Sequence, residues 1–388
     1  MTKYQTTKEK KKKKKPLVIL LVTFLSFGAF IYLITRKGDV TVAMEQIEMC
    51  NSIPQVKAIY QANQFDEDFY ERNEATGERE LVPDFEILIR QKLNKLITSD
   101  EELKECIEWL PQTKKSLNFI IVPDLSRRLL DSSNCRNQVN NDIRIIDSIW
   151  MKFIQLTSLK MNSSDRFIID VTDKGQANNS FERIADNLQV DLSKHKNQSN
   201  RLFYTDALTN EIKKNVRSLY KLSIKKPLGA DFYLYVKRYL SNHIRKSNIF
   251  EKVINKVIIL TDGYLEPQDR ISYTRIYHKS NIPRYNYDYR KPLYAAVDLG
   301  TVSQTISYLK LNIPLIQDIN LKDVQFLICE VIERDENGGN RYDYDILKSY
   351  WVDWLSRQKA SIQEENFLKR EQSMNVTITK IFDFLDKP

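Results

Sequence analysis

The chain has 388 residues, 42% hydrophobic and 29% charged, enough for one large core or a core with a small appended domain. Its net charge of +9 is confined to residues 1–37, where ten Lys and Arg face one Glu, so the remainder is neutral. A neutral body argues against a general nucleic-acid binder. The three histidines sit in unrelated contexts, which argues against a histidine zinc site or a His-dependent triad.

Residues 1–16 form a basic tail ending in the lysine run 10–15 and Pro16. Residues 17–34 carry no charge and are long enough for a transmembrane helix, placed at 17–35. The lysine side is expected to stay cytoplasmic, leaving the main domain outside the cytoplasm, periplasmic or luminal. A cleaved signal peptide is the rival, but the only small-x-small site lies beyond charged residues, at 41–43. Cys50, Cys106, Cys135 and Cys329 show no metal spacing; they suit up to two disulfides or buried thiols.

Residues 36–114 read as a helical neck. The stretch 44–64 is loosely helical and interrupted at Pro54, 65–82 is a polar loop or hairpin, and 83–97 has helical spacing. Ser99 and Asp100 are expected to provide an N-cap, with Glu101 and Glu102 in the first turn of the next helix. Strands are expected at 117–122, 167–171, 257–260, 294–299 and 324–331. Helices are expected at 137–159, 209–222, 231–243, 344–359 and 379–385, whereas 181–200 is poorly patterned. This alternation predicts an α/β fold with a doubly wound, mostly parallel sheet over 115–360, followed by a helical extension at 361–388. Trp351 and Trp354, three apart, are expected to pack together on the sheet.

Two of the apolar runs end in aspartate: Asn118 to Asp124 continues into Leu125-Ser126-Arg127-Arg128, and Lys256 to Leu260 into Thr261-Asp262-Gly263. Parallel strands would bring both aspartates to the carboxyl edge of the sheet, where such folds bind ligands. These segments resemble the von Willebrand factor A domain, whose first strand ends in Asp-x-Ser-x-Ser and a later one in Thr-Asp-Gly. The resemblance implies a degenerate metal-ion-dependent adhesion site that holds Mg²⁺ for a partner's carboxylate. Asp124, Ser126 and Asp262 match its ligands, and Asp231 stands where a threonine would be. Arg128 takes the place of the third ligand, and guanidinium cannot ligate a metal. Two readings stay open: an altered Mg²⁺ site of Asp124, Ser126, Asp231 and Asp262, or an Arg127 or Arg128 charge in place of the cation. Three aspartates without a counter-charge would repel one another.

The segment 269–294 interleaves basic residues with Tyr273, Tyr277, Tyr285, Tyr287, Tyr289 and Tyr294. Tyrosine and arginine are enriched at protein interfaces, so these tyrosines and Arg128 are candidate partner contacts beside a reading as a self-packed surface loop. No nucleophile–base pair and no Gly-rich phosphate loop appears, so the expected role is non-enzymatic. The leading expectation is a membrane-anchored protein–protein interaction module. The alternatives are a structural subunit of an envelope complex with a non-functional metal site and, behind it, a metal-dependent hydrolase.

Overall fold

The computed structural model describes residues 40–72, 79–111, 114–131, 136–160, 163–172, 179–195, 197–265, 285–333 and 342–387. The tail and the expected anchor lie outside the described residues. Among the described residues no helix is long and apolar enough to cross a membrane. The chain divides into two compact units, Met1–Thr113 and Lys114–Pro388.

The first unit holds α1 (Val40–Met49), α2 (Ile53–Asn63), the antiparallel pair β1 (Tyr70–Arg72) and β2 (Arg79–Leu81), α3 (Pro83–Leu96) and α4 (Asp100–Trp109). Pro54 falls in the first turn of α2, where its missing N–H costs nothing, so the helical stretch breaks in two there. Ser99 caps α4 through a full capping box with Glu102. Cys50 and Cys106 are buried free thiols, as is Cys329 in the second unit; Cys135 lies outside the described residues.

The second unit is α/β. Its strands are β3 (Lys114–Pro123), β4 (Arg166–Ile169), β5 (Gln189–Asp191), β6 (Glu251–Leu260), β7 (Val324–Val331) and β8 (Phe367–Lys369). They form one six-stranded sheet in the order β5-β4-β3-β6-β7-β8, parallel except for the edge strand β5. Counted within the unit, that is the 3-2-1-4-5-6 order of a doubly wound sheet, with the order reversing between β3 and β6. The helices are α5 (Gln138–Thr157), α6 (Asn179–Asp186), α7 (Gln198–Lys225), α8 (Phe232–Arg238), α9 (Tyr285–Asp298), α10 (Val302–Tyr308), α11 (Asp343–Arg357) and α12 (Met374–Asp386). Strand alternation sends Ile120, Val122, Val257, Ile259, Phe326 and Ile328 to one face, into a core with α8 to α11. Phe119, Ile121, Ile258, Leu260, Leu327 and Cys329 face the other core, with α5, α7 and α12. Trp351 and Trp354 pack 5.7 Å apart in the first of these cores.

Three expectations are corrected. Residues 294–298 are helical, the end of α9, and 299 falls in the turn after it; Leu293 and Ala296 are buried at i, i+3 spacing, with Val297 packed beside them. Residues 181–200 hold most of α6, all of β5 and the start of α7. The segment beyond 360 is no extension: β8 is the sixth strand, and Ile381, Phe384 and Leu385 of α12 belong to the core.

Lys256, fully buried in the central strand β6, binds α12 to the sheet. Its Nζ donates to the carbonyls of Phe384 (2.6 Å), Leu385 (3.0 Å) and Lys387 (2.5 Å), satisfying carbonyls that a helix end leaves free. Burial pulls its pKa down to about 8. Between that value and 10.5 the unfolded chain holds the extra proton, so stability rises with pH over this interval. Urea unfolding from pH 8 to 10 should gain up to about 2 kcal/mol relative to a Lys256→Met chain, which lacks this slope.

Candidate binding site at the sheet switch point

The carboxyl ends of β3 and β6 lie side by side, register pairing Pro123 with Leu260, and Asp124 N–H donates to Leu260 O at 2.8 Å. The chain then turns away on each strand. Asp124 Oδ1 accepts from Ser126 N–H at 2.9 Å, closing a tight turn, and Asp124 Oδ2 accepts from Thr261 Oγ1 at 2.9 Å. The two sequence motifs therefore meet through Asp124 and Thr261, both fully buried. Gly263 follows at φ +94°, a conformation open to glycine, and an added Cβ would stand 3.0 Å from Val331 Cγ1. The Gly263 carbonyl accepts from Trp351 Nε1 at 2.8 Å, which fixes the turn to the core beneath it.

Arg128 enters this layer from the short 3₁₀ turn Arg127–Leu130. Its side chain is buried, with Nε 2.9 Å from Asp124 O and 3.3 Å from Asp124 Oδ2. Nη2 donates to Asp142 Oδ2 (2.6 Å) and to Leu260 O (2.9 Å). Burial works against its charge, but Asp142 and Asp124 more than offset this, and the pKa is raised. Asp142, on α5, also accepts from Gln138 Nε2 (2.7 Å) and Tyr220 Oη (3.0 Å). Gln138 reaches Glu330 Oε2 at 3.3 Å, and Arg370 Nε stands 3.7 Å from the same oxygen. Burial pushes the carboxyls of both Asp142 and Glu330 up. Glu330 has φ +68°, a strained value for a residue with a side chain, at the irregularity where β7 pairs with β8.

The other expected ligands have defined places. Asp262 is buried beside Thr261, and its Oδ1 accepts from Tyr264 N–H at 3.3 Å. Asp231 is the N-cap of α8, accepting from Leu234 N–H at 2.8 Å. Its loop reaches the site through Leu228 N–H, which donates to Leu125 O at 2.9 Å. Among the described residues, no group of three or more His, Cys, Asp or Glu side chains is placed to hold a metal ion. Tyr273 and Tyr277 lie outside the described residues, and of Tyr285, Tyr287 and Tyr289 only the backbone in α9 is described. Tyr294 donates to the buried Asp343 at 3.1 Å, beside Tyr264 at 2.7 Å.

A second polar cluster closes the β4 end. Asp170 Oδ2 accepts from Tyr235 Oη at 3.1 Å and lies 2.7 Å from His243 Nε2, an ion-pair distance without the angle of a hydrogen bond. Thr172 Oγ1 donates to Gly229 O at 2.8 Å, joining this loop to the one before α8. His243 thus has a carboxylate partner, which its sequence context did not signal. Both side chains are buried, and no hydroxyl or thiol nucleophile bonds to the imidazole among the hydrogen bonds of the described residues.

No family model, no curated protein and no solved structure matches this chain.

Proposed function

We propose that the chain is a membrane-anchored protein–protein interaction module with a von Willebrand factor A-like domain. Residues 17–35 anchor it, the basic tail stays cytoplasmic, and the α/β unit is presented on the far side of the membrane to a protein partner. The observation that carries this reading is the bond from Thr261 Oγ1 to Asp124 Oδ2, which joins the two motifs of the resemblance at the switch point. The doubly wound strand order supports it as well. The turn after Asp124 also offers a contact surface: Leu130 is 51% exposed, and Arg127 is exposed beside it. Binding, without catalysis, suits a site whose polar side chains are bonded to one another rather than aimed at a reacting group. A permanent place in an envelope complex is the second reading, favoured by the absence of an exposed ligand atom on buried Asp124.

A photo-crosslinking residue at Leu130 in the full chain, in its native membrane, tests the proposal. One defined protein adduct is expected at Leu130 and none at Met151, an equally exposed position on α5. Equal labelling at the two positions, or none at either, overturns it. An adduct that still forms when irradiation follows detergent extraction in high salt selects the envelope-complex reading.

A further inference from the structure

We infer that Arg128 is a resident cation of the switch-point site and that the site works without a divalent metal. The donor set and its use lead to this. Asp124 has both carboxylate oxygens committed, one to the Ser126 amide and one to the Thr261 hydroxyl with Arg128 Nε beside it. The Ser126 hydroxyl oxygen accepts from Arg128 N–H at 3.3 Å. A Mg²⁺ ion needs near-octahedral oxygen ligands at about 2.1 Å and would have to share these oxygens with the donors they already accept from. It would also have to sit beside a guanidinium that is buried, held by Asp142 and unable to lose its proton. Two like charges in that space exclude one another. The aspartates do not need a metal either, since Arg128 lies against Asp124 and Asp142 and also feels the charge of Asp262.

The geometry stands whether or not the chain has the partner proposed above, and the two fail in different assays. Removing the guanidinium by Arg128→Ser leaves Asp124 and Asp142 buried without a counter-charge and adds a third hydroxyl near Ser126 and Thr261. That is a set of hard oxygen donors suited to Mg²⁺ or Mn²⁺.

The test compares thermal melts and Mn²⁺ calorimetry of the full detergent-purified chain, wild type and Arg128→Ser. The wild type is expected to melt at one temperature in EDTA and in millimolar Mg²⁺ or Mn²⁺, with no binding heat. Arg128→Ser is expected to melt lower in EDTA and to recover by at least about 3 °C in Mn²⁺. A saturable one-to-one isotherm in the wild type, lost in Asp124→Asn, overturns the inference. So does an Arg128→Ser chain as stable as the wild type in EDTA. If Arg128→Ser does not accumulate as folded protein, the wild-type titration decides alone: no binding heat upholds the inference, and a one-to-one isotherm lost in Asp124→Asn overturns it.

Discussion

Arg128→Met is expected to lower stability by about 3–5 kcal/mol, the usual cost of leaving a buried charge without its partner. The side chain it removes contacts both Asp124 and Asp142, and a methionine supplies no donor to either. Asp142 keeps Gln138 and Tyr220, so at that carboxylate what is lost is mainly the counter-charge. Adding Asp142→Asn should therefore return part of it, and the double variant should lose less than the sum of the singles by at least about 1 kcal/mol. Urea unfolding followed by tryptophan fluorescence measures this, since Trp150, Trp351 and Trp354 belong to the second unit. Additive losses would mean that the two side chains do not act as a pair.

Arg201→Met is expected to cost as much, about 3–5 kcal/mol, at the opposite edge of the sheet. Arg201 is wholly buried at the start of α7 and pairs with Asp165 Oδ2 at 2.7 Å. It also donates to the carbonyls of His195 (2.6 Å), Thr157 (3.3 Å), Ser163 and Leu192 (3.4 Å). Asp165 in turn accepts from Leu117 N–H at 2.7 Å, so one ion pair ties the ends of α5, β4 and β5 to the central strand. Lys160, 3.0 Å from Asp165, remains as a counter-charge and places the loss at the lower end of that range. Arg201→Lys keeps the charge but not the fork, and it should recover less than half. A full recovery by lysine would show that the charge alone matters.

The central strands were legible because β3, β6 and β7 are buried on both faces and so read as unbroken apolar runs. The edge strands β5 and β8 have three residues each, too few for any period to show. The arrival of Asp124 and Asp262 at one edge was likewise legible, since parallel strands deliver their ends together; that Thr261 is the residue that bonds Asp124 was not. Asp142, Tyr220 and Glu330 were not, because no motif links residues so far apart in the chain. One signal was present: Gln138 and Asp142 fall on the same α5 stripe as Ile145, Ile149 and Phe153, and all are buried. Polar residues on an apolar stripe mark a buried network. Arg201 lies just past the poorly patterned stretch 181–200 and outside every expected element, and its role emerges only from the carbonyls around it.

The sheet is made from two stretches of chain, β3 to β5 before residue 192 and β6 to β8 after residue 250, joined along the ten-residue register of β3 with β6. The Asp124–Thr261 bond crosses this seam between residues 137 apart, as does the bond from Arg128 to Leu260. Each half has local β–α connections that can form early, but the seam must close a long loop first. The switch-point layer therefore has no existence in either half alone. In refolding it should form after the rate-limiting closure of the seam, so changes at Thr261 should accelerate unfolding while leaving the folding rate nearly untouched.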